Sequence, residues 1–210
     1  MDNIPLPRPS DSWLVIIDMQ NIFVQQNQPW YSCTAQSVVP NILDLAHHWA
    51  GRTLLTRFVT GLRPEGSWKS YYESHPNVKL VDGSNSTEHD YNIIDELGHL
   101  IDKKGNNLLT MTTFGKWGTQ LHGLQAMIPE KFPRIVLTGV ATECCVLSTA
   151  IVAGDAGADV WLVKDACAAG QSDPHKASEN QNAVFTWVQP AFNYLINLTS
   201  TAELIEKKGA

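Results

Sequence analysis

The sequence predicts a three-layer α/β/α sandwich around a six-stranded parallel sheet. Three observations carry that reading. Short, unbroken apolar runs recur along the chain. Unbroken runs mark strands buried on both faces, as parallel strands are. Between the runs lie segments with apolar residues at helical spacing, and strands alternating with helices give a parallel sheet with helices on both sides. At 210 residues the chain suits one such domain, spanning 1–210.

Residues 13–18 form the first apolar run, which ends in the carboxylate of Asp18. A helix over 38–50 follows, stopped by Gly51, and then a strand over 53–58. The stretch 61–90 is rich in Gly, Pro, Ser, Asn and aromatics, which predicts a long loop at the site or at a subunit contact. Beyond it come a helix over 91–100, a strand over 107–110 and a helix over 119–127. A strand over 134–139 leads into an apolar helix over 144–153, ended by Gly154 and Gly157. The last elements are a strand over 159–163 closed by Asp165, a helix over 175–188 and a short strand near 194–198. If the strand order is 3-2-1-4-5-6, strands one and four flank the switch point where such sheets bind ligands. Asp18 and Cys145 would then meet there.

Composition excludes other classes. The formal net charge is −6 and the pI is near 5.6, with no basic cluster for a nucleic acid or an anionic membrane surface. No apolar run reaches the ~18 residues of a membrane span. The first ten residues are polar and proline-rich, with no signal-peptide core, so a cytoplasmic protein is expected. Four cysteines, at 33, 144, 145 and 167, form no CxxC pair, and a ring between adjacent cysteines would be strained. A dinucleotide-dependent oxidoreductase would need G-x-G-x-x-G after the first strand, where Asp-Met-Gln-Asn-Ile-Phe stands instead, so no cofactor is expected.

The turn Gly139-Val-Ala-Thr-Glu-Cys-Cys-Val146 joins a strand to a helix. A cysteine at a helix N-terminus meets free N–H groups and a dipole that favour an anion. Thr142 is the expected N-cap. The plainer reading is a small apolar core residue, the common fate of cysteine.

Residues 136–150, Val-Leu-Thr-Gly-Val-Ala-Thr-Glu-Cys-Cys-Val-Leu-Ser-Thr-Ala, resemble the signature of the isochorismatase-like cysteine hydrolases. The opening strand with Asp18-Met-Gln-Asn-Ile-Phe23, and Val160-Trp-Leu-Val-Lys-Asp-Ala with His175, are similar to two further motifs of that superfamily, in the same order. The resemblance implies Cys145, not Cys144, as nucleophile and Asp18 as its proton partner. It also implies a cis peptide at Val140–Ala141 and an oxyanion hole from the N–H groups of Ala141 and Cys145. Homodimers or homotetramers are common in the family.

The pattern breaks at the family's lysine. The motif K-x-T-F-[SG]-K-W-G reads Met111-Thr-Thr-Phe-Gly-Lys-Trp-Gly118 here, so Met111 stands at the lysine position. Methionine carries no charge and no donor. Without a cation, a thiolate and a carboxylate would face each other and one pKa would rise. Three outcomes stay open: a cationic substrate, Lys116 swinging in, or a drift away from hydrolysis. Residues 56–66 hold no histidine, and His47-His48 is a pair on one helix, so no catalytic metal is expected.

Phe23, Trp30, Phe58, Trp68 and Trp117 are candidates to line an aromatic pocket, against the commoner fate of aromatics as core. Arg57 and Arg63 are candidates for a substrate carboxylate or for plain salt bridges. The expected partner is a small molecule. The favoured reading is C–N hydrolysis of a small amide, imide or ureido compound through a thioester. The rival is a catalytically impaired small-molecule binding protein, motivated by Met111.

Overall fold

The sheet contains six parallel strands in the order β3-β2-β1-β4-β5-β6, as the sequence predicts. They are β1 Ser12–Ile17, β2 Thr53–Phe58, β3 Leu108–Met111, β4 Arg134–Val140, β5 Asp159–Ala168 and β6 Ile196–Thr199. The computed structural model describes residues 4–82 and 88–205. Eight helices flank the sheet among these residues: α1 Asn21–Val24, α2 Val39–His48, α3 Ser67–Glu73, α4 Asp95–Gly98, α5 Leu124–Met127, α6 Leu147–Asp155, α7 Pro174–Ala191 and α8 Thr201–Leu204.

The central strands are buried because both their faces are apolar. Leu14, Ile16 and Val136 face one core layer with α2; Val15, Ile17, Ile135 and Leu137 face the other with α6 and α7. Among the described residues no helix is long and apolar enough to cross a membrane.

Several expected elements differ. The stretch 61–90 is not loop throughout: α3 lies inside it, while residues 83–87 fall outside the described residues. The helices expected over 91–100 and 119–127 shrink to the single turns α4 and α5. The second shrinks because Gly118 and Gly123, both at positive φ, draw the chain into a tight loop closed by a Thr119–His122 bridge. Strand β5 runs on past Asp165, with a register shift against β4. That extension carries the chain to Gly170, at the site.

The two strands at the switch point approach closely. Ile17 pairs with Gly139, and a Cβ on Gly139 would sit 2.1 Å from the Ile17 carbonyl oxygen. Gly139 also holds φ +108°, which a side chain rarely adopts. Gly139→Ala is therefore expected to lower unfolding free energy by roughly 3 kcal/mol or more, from backbone strain plus overpacking. A shift in the urea midpoint measures it; an unchanged midpoint would mean the strands can part without cost.

Candidate active site

Asp18 follows β1 directly, with φ at +49°. Asp tolerates this left-handed region better than most residues, yet such conformers cost about 1–3 kcal/mol and persist where surroundings impose them. Here the surroundings are explicit. The Asp18 N–H donates to Thr56 at its carbonyl and hydroxyl oxygens, both 3.2 Å away, and the Thr56 hydroxyl donates to Asp18 Oδ1 at 2.6 Å. The neighbouring Gln20 spends its amide on three bonds: it donates to the carbonyls of Phe58 and Tyr91 and accepts from the Phe58 N–H. Strand β2 and the segment before α4 are thereby fastened to the exit of β1.

The cation is Lys116. Its Nζ lies 2.9 Å from Asp18 Oδ2, and both side chains are wholly buried. Nζ donates to the Thr113 carbonyl at 2.8 Å and sits 4.9 Å from the centre of the Phe58 ring. Its contact with Oδ2 is an ion pair without hydrogen-bonding geometry, and Oδ2 accepts from no donor among the described residues. Of the three outcomes left open at Met111, the structure shows Lys116 reaching in to Asp18. Met111 ends β3 with its side chain buried and no charge, and the loop that follows brings a lysine in from position 116. The tight turn at Gly118 and Gly123 makes that possible: a Cβ on Gly118 would collide with the His122 carbonyl.

Cys145 lies in a single π turn, Thr142–Val146, that begins α6, just after the cis peptide Val140–Ala141. Thr142 is not the N-cap; its hydroxyl donates instead to Gln181 Oε1, because Gln181 reaches across from α7. The Thr149 hydroxyl donates to the Cys145 carbonyl at 2.7 Å and accepts from the Lys116 N–H at 2.9 Å. One threonine therefore ties the lysine loop to the cysteine turn. The Cys145 thiol is pushed well up: it donates to the Cys144 sulfur, it is buried, and the Asp18 carboxylate is near, while Lys116 pulls the other way. Cys144 is lowered, first by that hydrogen bond.

Above the sulfur lies a cavity of about 130 Å³, lined by Phe23, Trp30, Phe58, Tyr71, Phe114, Ala141, Glu143, Cys144, Cys145 and Gly170. Phe23 and Phe58 line it as expected, and so does Trp30. Trp68 and Trp117 do not. Trp68 backs the wall, 4.9 Å from the Phe114 ring and 6.3 Å from that of Phe58. Trp117 follows Lys116 and so turns into the opposite core layer. Tyr71 and Phe114 were missed, although Trp68, Tyr71, Tyr72 and His75 stand at helical spacing and foretell one aromatic face. Glu143 accepts from the Gly170 N–H and the Asn180 amide. Arg57 donates to Thr110 and Arg63 is exposed; neither lines the cavity. Among the described residues no group of three or more His, Cys, Asp or Glu is placed to hold a metal ion.

A family model described as the isochorismatase domain matches residues 12–196. No curated protein matches in sequence. Solved structures do match in fold. A cysteine hydrolase from Pseudomonas syringae pv. phaseolicola superposes with a TM-score of 0.75 at 18% identity, over 96% of this chain and 93% of that one. N-carbamoylsarcosine amidase from Thermoplasma acidophilum gives 0.65 at 18% identity, over 93% and 99%. Pyrazinamidase of Pyrococcus horikoshii in complex with zinc gives 0.66 at 15% identity, over 90% and 99%.

Breaking a buried ion pair by removing one partner costs about 3–5 kcal/mol. Lys116→Met is expected to lose that much stability. It is also expected to slow alkylation of Cys145 by iodoacetamide, followed on its own peptide by mass spectrometry, because the charge that favours the thiolate is gone. In the unaltered protein that alkylation should still be climbing with pH at pH 9, since the thiol is raised above that value. An early plateau, or a Lys116→Met rate equal to that of the parent, contradicts this electrostatic account.

Proposed function

The chain belongs to the isochorismatase family, and on that premise we propose that it is a cysteine hydrolase cleaving a C–N bond in a small amide, imide or ureido compound without a metal. The observation that supports the reading best is Asp18 Oδ2, a buried carboxylate oxygen paired with Lys116 and given no hydrogen-bond donor by the described residues. It is a proton acceptor kept free beside a thiol that is protonated at rest.

The steps follow. The substrate carbonyl enters the cavity against Cys145. Asp18 takes the thiol proton as Sγ attacks the carbonyl carbon, and the C=O electrons move to oxygen. The N–H groups of Ala141 and Cys145 donate hydrogen bonds to that oxyanion. The C–N bond then breaks, and Asp18 returns the proton to the leaving nitrogen. In the second half, water attacks the thioester, Asp18 takes its proton, and the carboxylic acid leaves as that proton returns to sulfur. Lys116 keeps its charge throughout and offsets the carboxylate or thiolate, whichever is present. The amidase and pyrazinamidase among its structural neighbours agree with C–N chemistry. The metal-free part of the reading is supported by the described residues, which place no group of three or more His, Cys, Asp or Glu together.

The binding-protein alternative rested on a missing cation, and Lys116 removes that ground. Ammonia release from a panel of small primary amides is the test. Turnover is expected to vanish in Cys145→Ala, to fall about 10²–10⁴-fold in Asp18→Asn, and to survive EDTA unchanged. Met111→Lys should bring no gain while Lys116 is present. No ammonia from any amide, with Cys145 unreactive throughout, would sink the hydrolase reading.

A further inference from the structure

The cavity's walls say more about its occupant than its floor does. Four rings form a closed circuit. Trp30 and Phe58 are 5.7 Å apart, Phe58 and Phe114 5.8 Å, Phe114 and Tyr71 5.7 Å, and Tyr71 and Trp30 6.4 Å. Phe23 stacks on Trp30 at 5.8 Å and closes one side. Ring faces carry negative potential, and several of them around one space attract a cation, above all a weakly hydrated alkylammonium.

The charges point the same way. Among the described residues lining the cavity, Glu143 is the one bearing a formal charge, and it is negative. Its partners, the Gly170 N–H and the Asn180 amide, are neutral and do not cancel it. Lys116 does not line the cavity; it lies 4.9 Å from the Phe58 ring centre and is paired with Asp18, so the two contribute no net charge. No arginine or lysine among the lining residues meets a substrate carboxylate.

We propose that the substrate carries a positively charged alkylammonium group beside its scissile carbonyl, held by the aromatic circuit of Trp30, Phe58, Tyr71 and Phe114 and by the Glu143 carboxylate. This rests on the hydrolase reading for turnover, but not for binding. The cation sits among the rings, and the carbonyl reaches down to Cys145. Glu143 and Cys145 lie on one turn, so a substrate with a short chain between its ammonium and its carbonyl reaches both.

Three amides test it: trimethylammonioacetamide, its uncharged isostere tert-butylacetamide, and anionic malonamate. Turnover is read as ammonia release, and binding by calorimetry to Cys145→Ala, which does not turn over. The cation is expected to exceed the isostere at least tenfold in kcat/KM and in affinity, with malonamate weakest. Glu143→Gln, which keeps the acceptor for the Gly170 N–H, is expected to shrink the cation's advantage several-fold with the melting temperature unchanged. Selective binding of the cation, with no ammonia from any amide and Cys145 unreactive, sinks the hydrolase reading and leaves the cation-binding part of this one standing. Equal or better handling of the isostere or malonamate overturns it, with the hydrolase intact if those amides are cleaved. A ratio unmoved by Glu143→Gln overturns it as well.

Discussion

The buried ion pair between Asp18 and Lys116 is the constraint on which the rest of the site depends. Two charges with no access to water are tolerable only if each finds compensation, and removing either strands the other. The surrounding structure supplies that compensation piece by piece. The Thr56 hydroxyl donates to Asp18 Oδ1, the Thr113 carbonyl accepts a hydrogen bond from Nζ, and the Phe58 ring offers its face. The left-handed backbone of Asp18, the close approach of β1 and β4 at Gly139, and the pinched loop between Gly118 and Gly123 all serve the same placement. A carboxylate held in this way is preorganised. In the proposed mechanism it needs no reorientation to receive a proton, which is where electrostatic catalysis gains most.

The site is also mechanically joined. Gln20 fastens β2 and its Phe58 wall to the strand carrying Asp18, and Thr149 couples the lysine loop to the cysteine turn. Neither residue touches the cavity. Both are buried polar groups whose hydrogen bonds are satisfied, the condition under which a polar network specifies one arrangement instead of several.

How much of this was legible in the sequence depended on whether strands or loops decided the matter. The sheet was legible because unbroken apolar runs such as Leu14 to Ile17 and Ile135 to Leu137 have few alternatives to a doubly covered strand. The placement of Asp18 and the turn holding Cys145 at the switch point followed from strand order alone. Loops were another matter. The path from Met111 to Leu124 is set by two glycines at positive φ and a local bridge, so periodicity suggested a helix over 119–127 that is one turn long. The same path decides that Lys116 faces Asp18 while Trp117 faces away, which no count of residues from the strand's end reveals. Trp68 failed as a pocket residue for a similar reason, since α3 shows the cavity Tyr71 and leaves Trp68 behind it.

The position of Lys116 bears on how such sequences are sorted. What the proposed chemistry needs is a positive charge at one point in space, and a long side chain on a reversing loop reaches that point from more than one place along the backbone. A classification that demands lysine in the column occupied by Met111 would file this chain with the degenerate members of its family. On the proposed reading, the location of the ammonium group in space, not its address in an alignment, is the feature to compare across the family.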